Sequence, residues 1–132
     1  TTKEPNKKIK DLFAELSNDF KVIIMSNSGK NRLRPFKEKL NVDVAYNSRK
    51  PLKGKYKKIL EIYNYKPEEI AAIGDQLMTD VFGANRMGFT TIFINRIGPV
   101  EPITTRFNRI WERKLLKHFN KKGFLIQGEY YD

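Results

Sequence analysis

The chain has 132 residues, of which 39% are hydrophobic and 31% charged, a size and balance that suit one globular domain with its own core. It contains no cysteine, which excludes disulfides, thiolate zinc sites and cysteine nucleophiles within these residues. The net charge of +11 favours anionic partners, namely nucleic acid, anionic lipid or a phosphorylated substrate, without choosing between them.

Helical and strand-like segments alternate along the first two thirds of the chain. Apolar residues that recur every three or four positions predict helices, and short apolar runs rich in β-branched residues predict strands. In chain order the predicted elements are helix 6–18, strand 21–25, helix 31–40, strand 42–46, helix 54–63, strand 70–73, helix 77–87 and strand 90–94. Only Pro35 weakens one of these predictions, the helix at 31–40. The alternation predicts an α/β fold with a doubly wound parallel sheet.

After Gly98 the regular alternation of helical and strand-like segments ends. We predict no domain boundary there, so we expect residues 1–132 to form a single domain. Residues 103–122 predict a basic helix, and residues 123–132 form a tail that suits either an edge strand or a loose end. The basic residues near one helix face are Arg106, Arg109, Arg113 and Lys117, with Trp111 on the apolar side. This pattern is typical of a helix packed on a core with a solvated basic face. It also suits peripheral contact with an anionic membrane, where Trp111 would lie at the interface.

Polar side chains that suit phosphoryl chemistry follow three successive predicted strands. Ser26 and Asn27 follow the first strand, Lys50 lies beyond the second, and Asp75 and Asp80 come after the third. Because the carboxyl ends of parallel strands meet at one edge of a sheet, we expect these side chains to converge. A hydroxyl and a lysine suit phosphate oxygens, and carboxylates suit Mg²⁺. Each residue alone has an ordinary structural explanation, and the ordered placement is what favours a site.

Three of these segments resemble motifs of the haloacid dehalogenase (HAD) superfamily. Residues 22–27 resemble its second motif, residues 49–51 its third, and residues 74–80, with the sequence GDQLMTD, its fourth. Residues 73–89 and 104–113 resemble more narrowly the YqeG-like branch of the subclass IIIA phosphatases. The resemblance covers roughly residues 7–117.

The resemblance implies a Mg²⁺-dependent phosphomonoester hydrolase with a HAD-like Rossmannoid, three-layer α/β/α fold and no large cap domain. Ser26, with Asn27 beside it, would bind the transferring phosphoryl group. Lys50 would hold the phosphate and orient the nucleophile. Asp75 would ligate Mg²⁺, and Asp80 would support the metal indirectly or through water. Some relatives of this branch dephosphorylate phosphatidylglycerophosphate, which implies a lipid substrate.

Two other interpretations stay open from the sequence. The substrate could be a soluble sugar or nucleotide phosphate, or the phosphorylated end of a nucleic acid, which the positive charge would suit. The protein could also be a non-catalytic module that keeps the fold and binds phosphate. We expect a cytoplasmic protein, on the inner face of the membrane if the basic tail binds lipid, since the sequence lacks cysteine and any apolar run that could span a bilayer.

The first motif of the family, a strand that ends in DxDx[TV], is missing from these residues. Its first Asp is the nucleophile that forms an aspartyl-phosphate, and none of Asp11, Asp19 and Asp43 has that sequence context. We therefore expect the strand and its motif upstream of Thr1 in the native protein, and we expect these residues alone to be inactive. Without that strand, two half-sheets would face each other with unpaired backbone edges.

Overall fold

The computed structural model describes residues 4–94, 110, 113–118 and 121. The chain divides into two compact units, Thr1–Ile94 and Asn95–Asp132, and the single domain predicted over residues 1–132 stays a prediction. The elements of the first unit are α1 (Lys7–Asp19), β1 (Ile23–Met25), α2 (Lys30–Leu40), β2 (Asp43–Ala45), α3 (Gly54–Tyr63), a 3₁₀ turn (Pro67–Glu69), β3 (Ala71–Gly74), a π-helical turn (Leu77–Val81), α4 (Phe82–Asn85) and β4 (Thr90–Phe93).

The strands form two parallel pairs, β1 with β2 and β3 with β4. Ile23 lies opposite Asp43 in the first pair, and Ala71 lies opposite Thr90 in the second. The predicted alternation of helices with parallel strands is therefore confirmed. Within the described part of the chain each strand has one ladder partner, so the two pairs are not joined into one sheet. The strand that the resemblance predicts between them stays a prediction.

A local signal in the sequence explains α1, whereas α2 depends on tertiary packing. Asn6 caps α1, because its side-chain oxygen accepts a hydrogen bond from the backbone N–H of Ile9 at 2.9 Å. Helix α2 continues through Pro35, which has no N–H to donate to the preceding turn. The helix tolerates this loss because Leu33 and Leu40 are buried on one of its faces, so tertiary packing compensates for the missing bond.

The core of the first unit centres on Tyr56, Ala84 and Phe89. The ring of Tyr56 is 3% exposed and meets Phe89 edge-on, with 5.9 Å between ring centroids. Gly83 makes room for the phenol, since a Cβ at Gly83 would lie 2.5 Å from the Tyr56 hydroxyl. That hydroxyl donates a long hydrogen bond, 3.4 Å, to the carbonyl of Thr79. This packing fixes α3 against the segment that follows β3.

We expect Tyr56→Phe to reduce the loss of stability at alkaline pH. Burial, with a smaller contribution from the charge of Asp80, raises the pKa of Tyr56 to about 12. A raised pKa gives a stabilising contribution that is complete below the ordinary value of 10.0 and disappears as the pH rises from there towards 12. The variant should match the natural protein at neutral pH, because the hydrogen bond it loses is long. Urea unfolding across this pH range tests the prediction, and parallel losses in both proteins would contradict it.

The segment predicted as one α-helix at residues 77–87 is instead a π-helical turn followed by the short helix α4. The backbone N–H of Val81 donates to the carbonyl of Gln76, five residues back, at 3.3 Å. The same carbonyl accepts the N–H of Asp80 at 2.8 Å. Apolar spacing did not reveal the wider turn, since over so few residues π and α turns bury nearly the same positions. Gly88, with φ of 79°, takes the left-handed conformation after this segment.

In the second unit, residues 110, 113–118 and 121 are helical. Leu115 and Leu116 are half-buried, whereas Arg113 and Lys117 are exposed, as the predicted amphipathic helix requires. Arg106, Arg109, Trp111 and the tail at 123–132 lie outside the described residues, so membrane contact stays a prediction. None of the helices among residues 4–94, 110, 113–118 and 121 is long and apolar enough to cross a membrane.

Candidate active site

The side chain of Asn27 holds the loop after β2 against the loop after β1. Its Oδ1 accepts a hydrogen bond from the backbone N–H of Lys50 at 2.6 Å, and its Nδ2 donates to the carbonyl of Lys50 at 3.2 Å. An amide side chain carries both a donor and an acceptor, so one residue satisfies both backbone groups of Lys50. The backbone of Lys50 is thereby fixed beside the carboxyl end of β1.

The ammonium group of Lys50 lies between the end of β1 and the turn that follows β3. Its Nζ donates to the carbonyl of Met25 at 3.0 Å and to Oδ1 of Asp80 at 2.5 Å. The side chains of Lys50 and Asp80 are 16% and 15% exposed, so water screens this ion pair only weakly. Removing either charge would therefore leave the other largely buried without a counter-ion. Lys50 also connects the two parallel pairs of strands.

Both carboxylate oxygens of Asp80 have donors. Oδ1 accepts from Lys50, and Oδ2 accepts the backbone N–H of Gln76 at 3.3 Å. The carboxylate approaches the end of β3 closely, because a Cβ at Gly74 would lie only 2.4 Å from the Cβ of Asp80. Glycine is thus required at this position. These contacts suit Asp80 to the role of positioning Lys50 and supporting a metal indirectly.

Ser26 and Ser48 tie together the two loops that carry Asn27 and Lys50. The backbone N–H of Ser26 donates to the carbonyl of Ala45, and that of Ser48 donates to the carbonyl of Ser26, both at 3.0 Å. The Ser48 hydroxyl is buried and donates to the same Ala45 carbonyl at 2.6 Å. The Ser26 Oγ accepts the N–H of Ser28 at 3.1 Å. Its hydroxyl hydrogen has no acceptor in the part of the chain that the structure describes, so it is available to a phosphate oxygen.

The structure brings four of the five predicted site residues into one connected network: Ser26, Asn27, Lys50 and Asp80. Asp75 directly follows β3 and is half-buried. Asp75 and Asp80 carry the carboxylate oxygens that Mg²⁺ prefers, and Asp75 is the residue to which the family resemblance assigns direct ligation. The described ranges contain no group of three Asp, Glu, His or Cys that could hold a metal. These carboxylates therefore fit Mg²⁺ as part of a ligand set that other oxygens complete.

Two further residues, Gln76 and Tyr56, support this site, and little in the sequence indicated either. Gln76 orients Asp80 through its backbone and accepts a hydrogen bond from the Thr79 hydroxyl at 2.8 Å through its side chain. Tyr56 contacts the backbone of the same turn from α3. Two polar residues between a pair of aspartates gave a weak signal for this arrangement, whereas a tyrosine on a distant helix gave none.

We expect Asn27→Ala to lower both stability and the function of Lys50. The variant loses two hydrogen bonds that hold the Lys50 backbone, which corresponds to about 1–2 kcal/mol in the free energy of unfolding. Asn27→Asp is the second variant, since it keeps the acceptor for the Lys50 N–H but places a carboxylate oxygen against the Lys50 carbonyl in place of the Nδ2 donor. Urea unfolding should show both variants to be less stable than the natural protein. Full stability in Asn27→Ala would contradict this role.

Parts of the chain that carry the candidate site are similar in sequence to known proteins. Residues 47–96, which contain Lys50, Asp75 and Asp80, match the model of the HAD-hydrolase-like family. Over 105 residues, or 80% of this chain, the sequence is 37% identical to a protein of Bacillus subtilis (strain 168) named as the probable phosphatase YqeG. This chain spans 61% of the length of that relative. A stretch of 45 residues, 34% of this chain and 19% of the relative, is 40% identical to a glyceraldehyde 3-phosphate phosphatase of Pyrococcus furiosus.

A solved structure shares the fold. It is the crystal structure of an uncharacterized protein from Listeria monocytogenes serotype 4b, with a TM-score of 0.58 and 16% sequence identity. The match covers 75% of this chain and 68% of that one. It supports the α/β architecture alone, while the sequence similarities extend over the segments that carry Lys50, Asp75 and Asp80. The sequence similarities support the predicted resemblance to the HAD superfamily and, within it, to the YqeG-like family.

Proposed function

We propose that the protein containing this chain is a Mg²⁺-dependent phosphomonoester hydrolase. The observation that carries the proposal is the position of Lys50, whose ammonium group is shielded from water and held at the carboxyl end of β1 by Met25 and Asp80. A fixed cation at the carboxyl ends of parallel strands suits the developing charge of a transferring phosphoryl group. The phosphatase names of the relatives in Bacillus subtilis and Pyrococcus furiosus support the same reaction class.

The residues of this chain would bind and orient the phosphoryl group. An ammonium group has three N–H donors, and Lys50 uses two of them for Met25 and Asp80. The third would bind a phosphoryl oxygen, while the hydroxyl of Ser26 would donate to another. Asp75 would hold Mg²⁺, which, when bound, offsets the negative charge on the phosphoryl oxygens. Asp80 would keep Lys50 in place throughout the reaction.

The nucleophile that we propose is an aspartate outside the described residues. Its carboxylate oxygen would form a bond to phosphorus as the bond to the alcohol oxygen breaks, and the alcohol would leave with a proton. Water would then attack the aspartyl-phosphate, which releases inorganic phosphate and restores the carboxylate. Asp43 is not a substitute, because Lys21 and Tyr63 hold its Oδ2 at 2.7 and 2.6 Å.

Trapping of the intermediate tests this step. The native full-length protein would be quenched in acid during turnover, reduced with borohydride and mapped by peptide mass spectrometry. We expect the residue modified by the reduction to be an aspartate that is not among residues 1–132. Modification of Asp75 or Asp80 would contradict the roles given to them here.

The substrate that we propose is phosphatidylglycerophosphate, a lipid phosphomonoester, acted on by a cytoplasmic protein at the inner membrane face. The exposed Arg113 and Lys117 support contact with an anionic surface, to which each basic residue contributes about 1 kcal/mol. A soluble sugar phosphate is the second candidate, favoured by the similarity to the glyceraldehyde 3-phosphate phosphatase.

A substrate panel separates these candidates. It would contain phosphatidylglycerophosphate in vesicles, glyceraldehyde 3-phosphate, a nucleotide and an oligonucleotide with a phosphorylated end. We expect the highest kcat/KM for the lipid, together with cosedimentation on anionic vesicles at low salt. A higher kcat/KM for a soluble phosphate, without cosedimentation, would overturn the lipid assignment and leave the hydrolase intact.

A further inference from the structure

The segment from the end of β2 into α3 has an unbalanced charge. Residues 44–60 include six Lys or Arg and no Asp or Glu. Helix α1 shows the ordinary pattern instead, because acidic residues accompany its lysines and Lys7 pairs with Asp11 at 2.7 Å. A generally basic composition therefore does not explain a segment that carries cations alone. In the fold, this segment forms the end of β2, the loop after it and the first two turns of α3.

The outer edge of β2 has no ladder partner in the part of the chain that the structure describes. Ala45 directs its backbone towards β1, since its carbonyl accepts the N–H of Ser26 at 3.0 Å. The backbone groups of consecutive residues in a strand point in opposite directions, so the N–H and C=O of Val44 point away from β1. This edge can therefore pair with one more extended segment.

Two adjoining hollows flank this edge, and we call them together the edge groove. The first, of about 180 Å³, lies between β2 and α3, and its lining includes Val44, Ile59 and Ile62. The second, of about 510 Å³, is lined by the loop after β2 and by the start of α3. Because Lys55 and Lys58 line both hollows, the two adjoin each other along α3.

The edge groove combines cations with exposed apolar side chains. Arg49, Lys55 and Lys58 line it, and in the described part of the chain none of these three takes part in an ion pair. Leu52 lines one hollow and Ile62 the other, with 59% and 61% of their surface exposed. Such a groove attracts a partner that offers carboxylates and an apolar side chain together.

We propose that the edge groove binds an extended, acidic segment of another protein, which adds a strand beside β2. Backbone hydrogen bonds to Val44 would hold the segment in register. Every second side chain of a strand points to the same face, so carboxylates on one face would meet Lys55 and Lys58 while an apolar residue meets Ile62. This interaction goes beyond the proposed hydrolase function and uses no residue of the candidate active site.

The lining of the edge groove favours this partner over other anionic ones. Aliphatic side chains from both β2 and α3 line the smaller hollow, and they offer little to a chain of phosphates. Its one lining carboxylate, Asp43, is paired with Lys21 at 2.7 Å. A planar membrane surface does not fill a concave groove. A second copy of this chain would bring the same cations to the contact, where like charges repel.

Binding of a synthetic peptide to the native full-length protein tests this inference. In the peptide, threonine alternates with two glutamates and a leucine, so that the glutamates and the leucine can face the groove together. We expect binding that weakens as salt increases, together with slower hydrogen exchange of the Val44 N–H in NMR spectra. The same peptide with lysine in place of glutamate should not bind.

Backbone N-methylation separates strand addition from simple attraction between charges. Methyl groups on every second residue remove the N–H donors along one edge of the added strand, and the alternate pattern removes those along the other edge. We expect one pattern to abolish binding and the other to preserve it. Equal binding of the two methylated peptides, or unchanged exchange at Val44, would overturn strand addition.

Variants of the protein assign binding to the groove. Lys55→Gln with Lys58→Gln should weaken peptide binding on the order of tenfold, the combined effect of two exposed ion pairs. Ile62→Ser should also weaken binding without loss of stability, since Ile62 is largely exposed. The charge-matched control, Lys8→Gln with Lys10→Gln on α1, should bind the peptide as the natural protein does.

A short RNA and anionic vesicles are the competing probes. Binding of either one that is lost in Lys55→Gln with Lys58→Gln, together with no binding of the peptide, would overturn the proposal and assign the surface to that class of partner. Peptide binding that is unchanged in all the groove variants would overturn it as well. None of these measurements depends on phosphate release, so failure of the proposed function would leave the test intact.

Discussion

Lys50→Gln is expected to lower kcat/KM for phosphomonoesters by at least about a hundredfold, the usual cost of losing one donor to the developing charge of a transition state. Glutamine keeps a side-chain N–H donor but lacks the positive charge. The partner carboxylate of Asp80, 15% exposed, is then left without its cation. We therefore also expect a loss of about 3 kcal/mol in the free energy of unfolding. Phosphate release and urea unfolding measure the two effects separately.

The double variant Lys50→Gln with Asp80→Asn is the matched control. It removes both charges of the pair, so much of the lost stability should return, whereas the activity should not. Such a result would separate the structural role of the ion pair from the catalytic role of Lys50. Activity close to that of the natural protein in either variant would contradict the site described here.

Gly74→Ala is expected to destabilise the protein by about 1–3 kcal/mol and to lower activity at the same time. The new Cβ would lie 2.4 Å from the Cβ of Asp80, which is close to the backbone and cannot turn away by changing rotamer. Asp80 must therefore move, and Lys50 loses its acceptor. We expect urea unfolding to report the strain and phosphate release to report the displaced lysine.

Gly54→Ala provides the comparison for this prediction. A Cβ at Gly54 meets nothing within 4 Å, and the residue lies at the start of a helix where alanine is favourable. This variant should keep or slightly increase the free energy of unfolding. Equal stability of Gly74→Ala and Gly54→Ala would show that Asp80 does not require the close approach to β3.

Short-range patterns in the sequence predicted the elements well. The bounds of α3, Gly54–Tyr63, agree with the prediction because its apolar positions repeat at helical spacing between clear breaks. The convergence of Lys50 with Asp80 followed from one rule, that parallel strands bring their carboxyl ends together. In the structure, Nζ of Lys50 lies 2.5 Å from Oδ1 of Asp80.

Features that depend on loop geometry could not be predicted. The two hydrogen bonds between Asn27 and the backbone of Lys50 require a loop in which Asn47 and Arg49 both have positive φ. Arginine in this conformation gives no signal in the sequence, because glycine is the residue that normally marks it. The π-helical turn was missed because the apolar spacing does not indicate it. It forms where the Gln76 carbonyl accepts the N–H of Val81 and the Gln76 N–H donates to the carboxylate of Asp80.

The most direct test of the phosphatase assignment is phosphate release from a phosphomonoester by the native full-length protein, with Mg²⁺ and with a chelator, beside the variant Asp75→Asn. We predict release that depends on Mg²⁺, is lost with the chelator and falls by at least about a hundredfold in Asp75→Asn. Release that is indifferent to Mg²⁺ and to Asp75, or no release from any phosphomonoester, would contradict the assignment of this site.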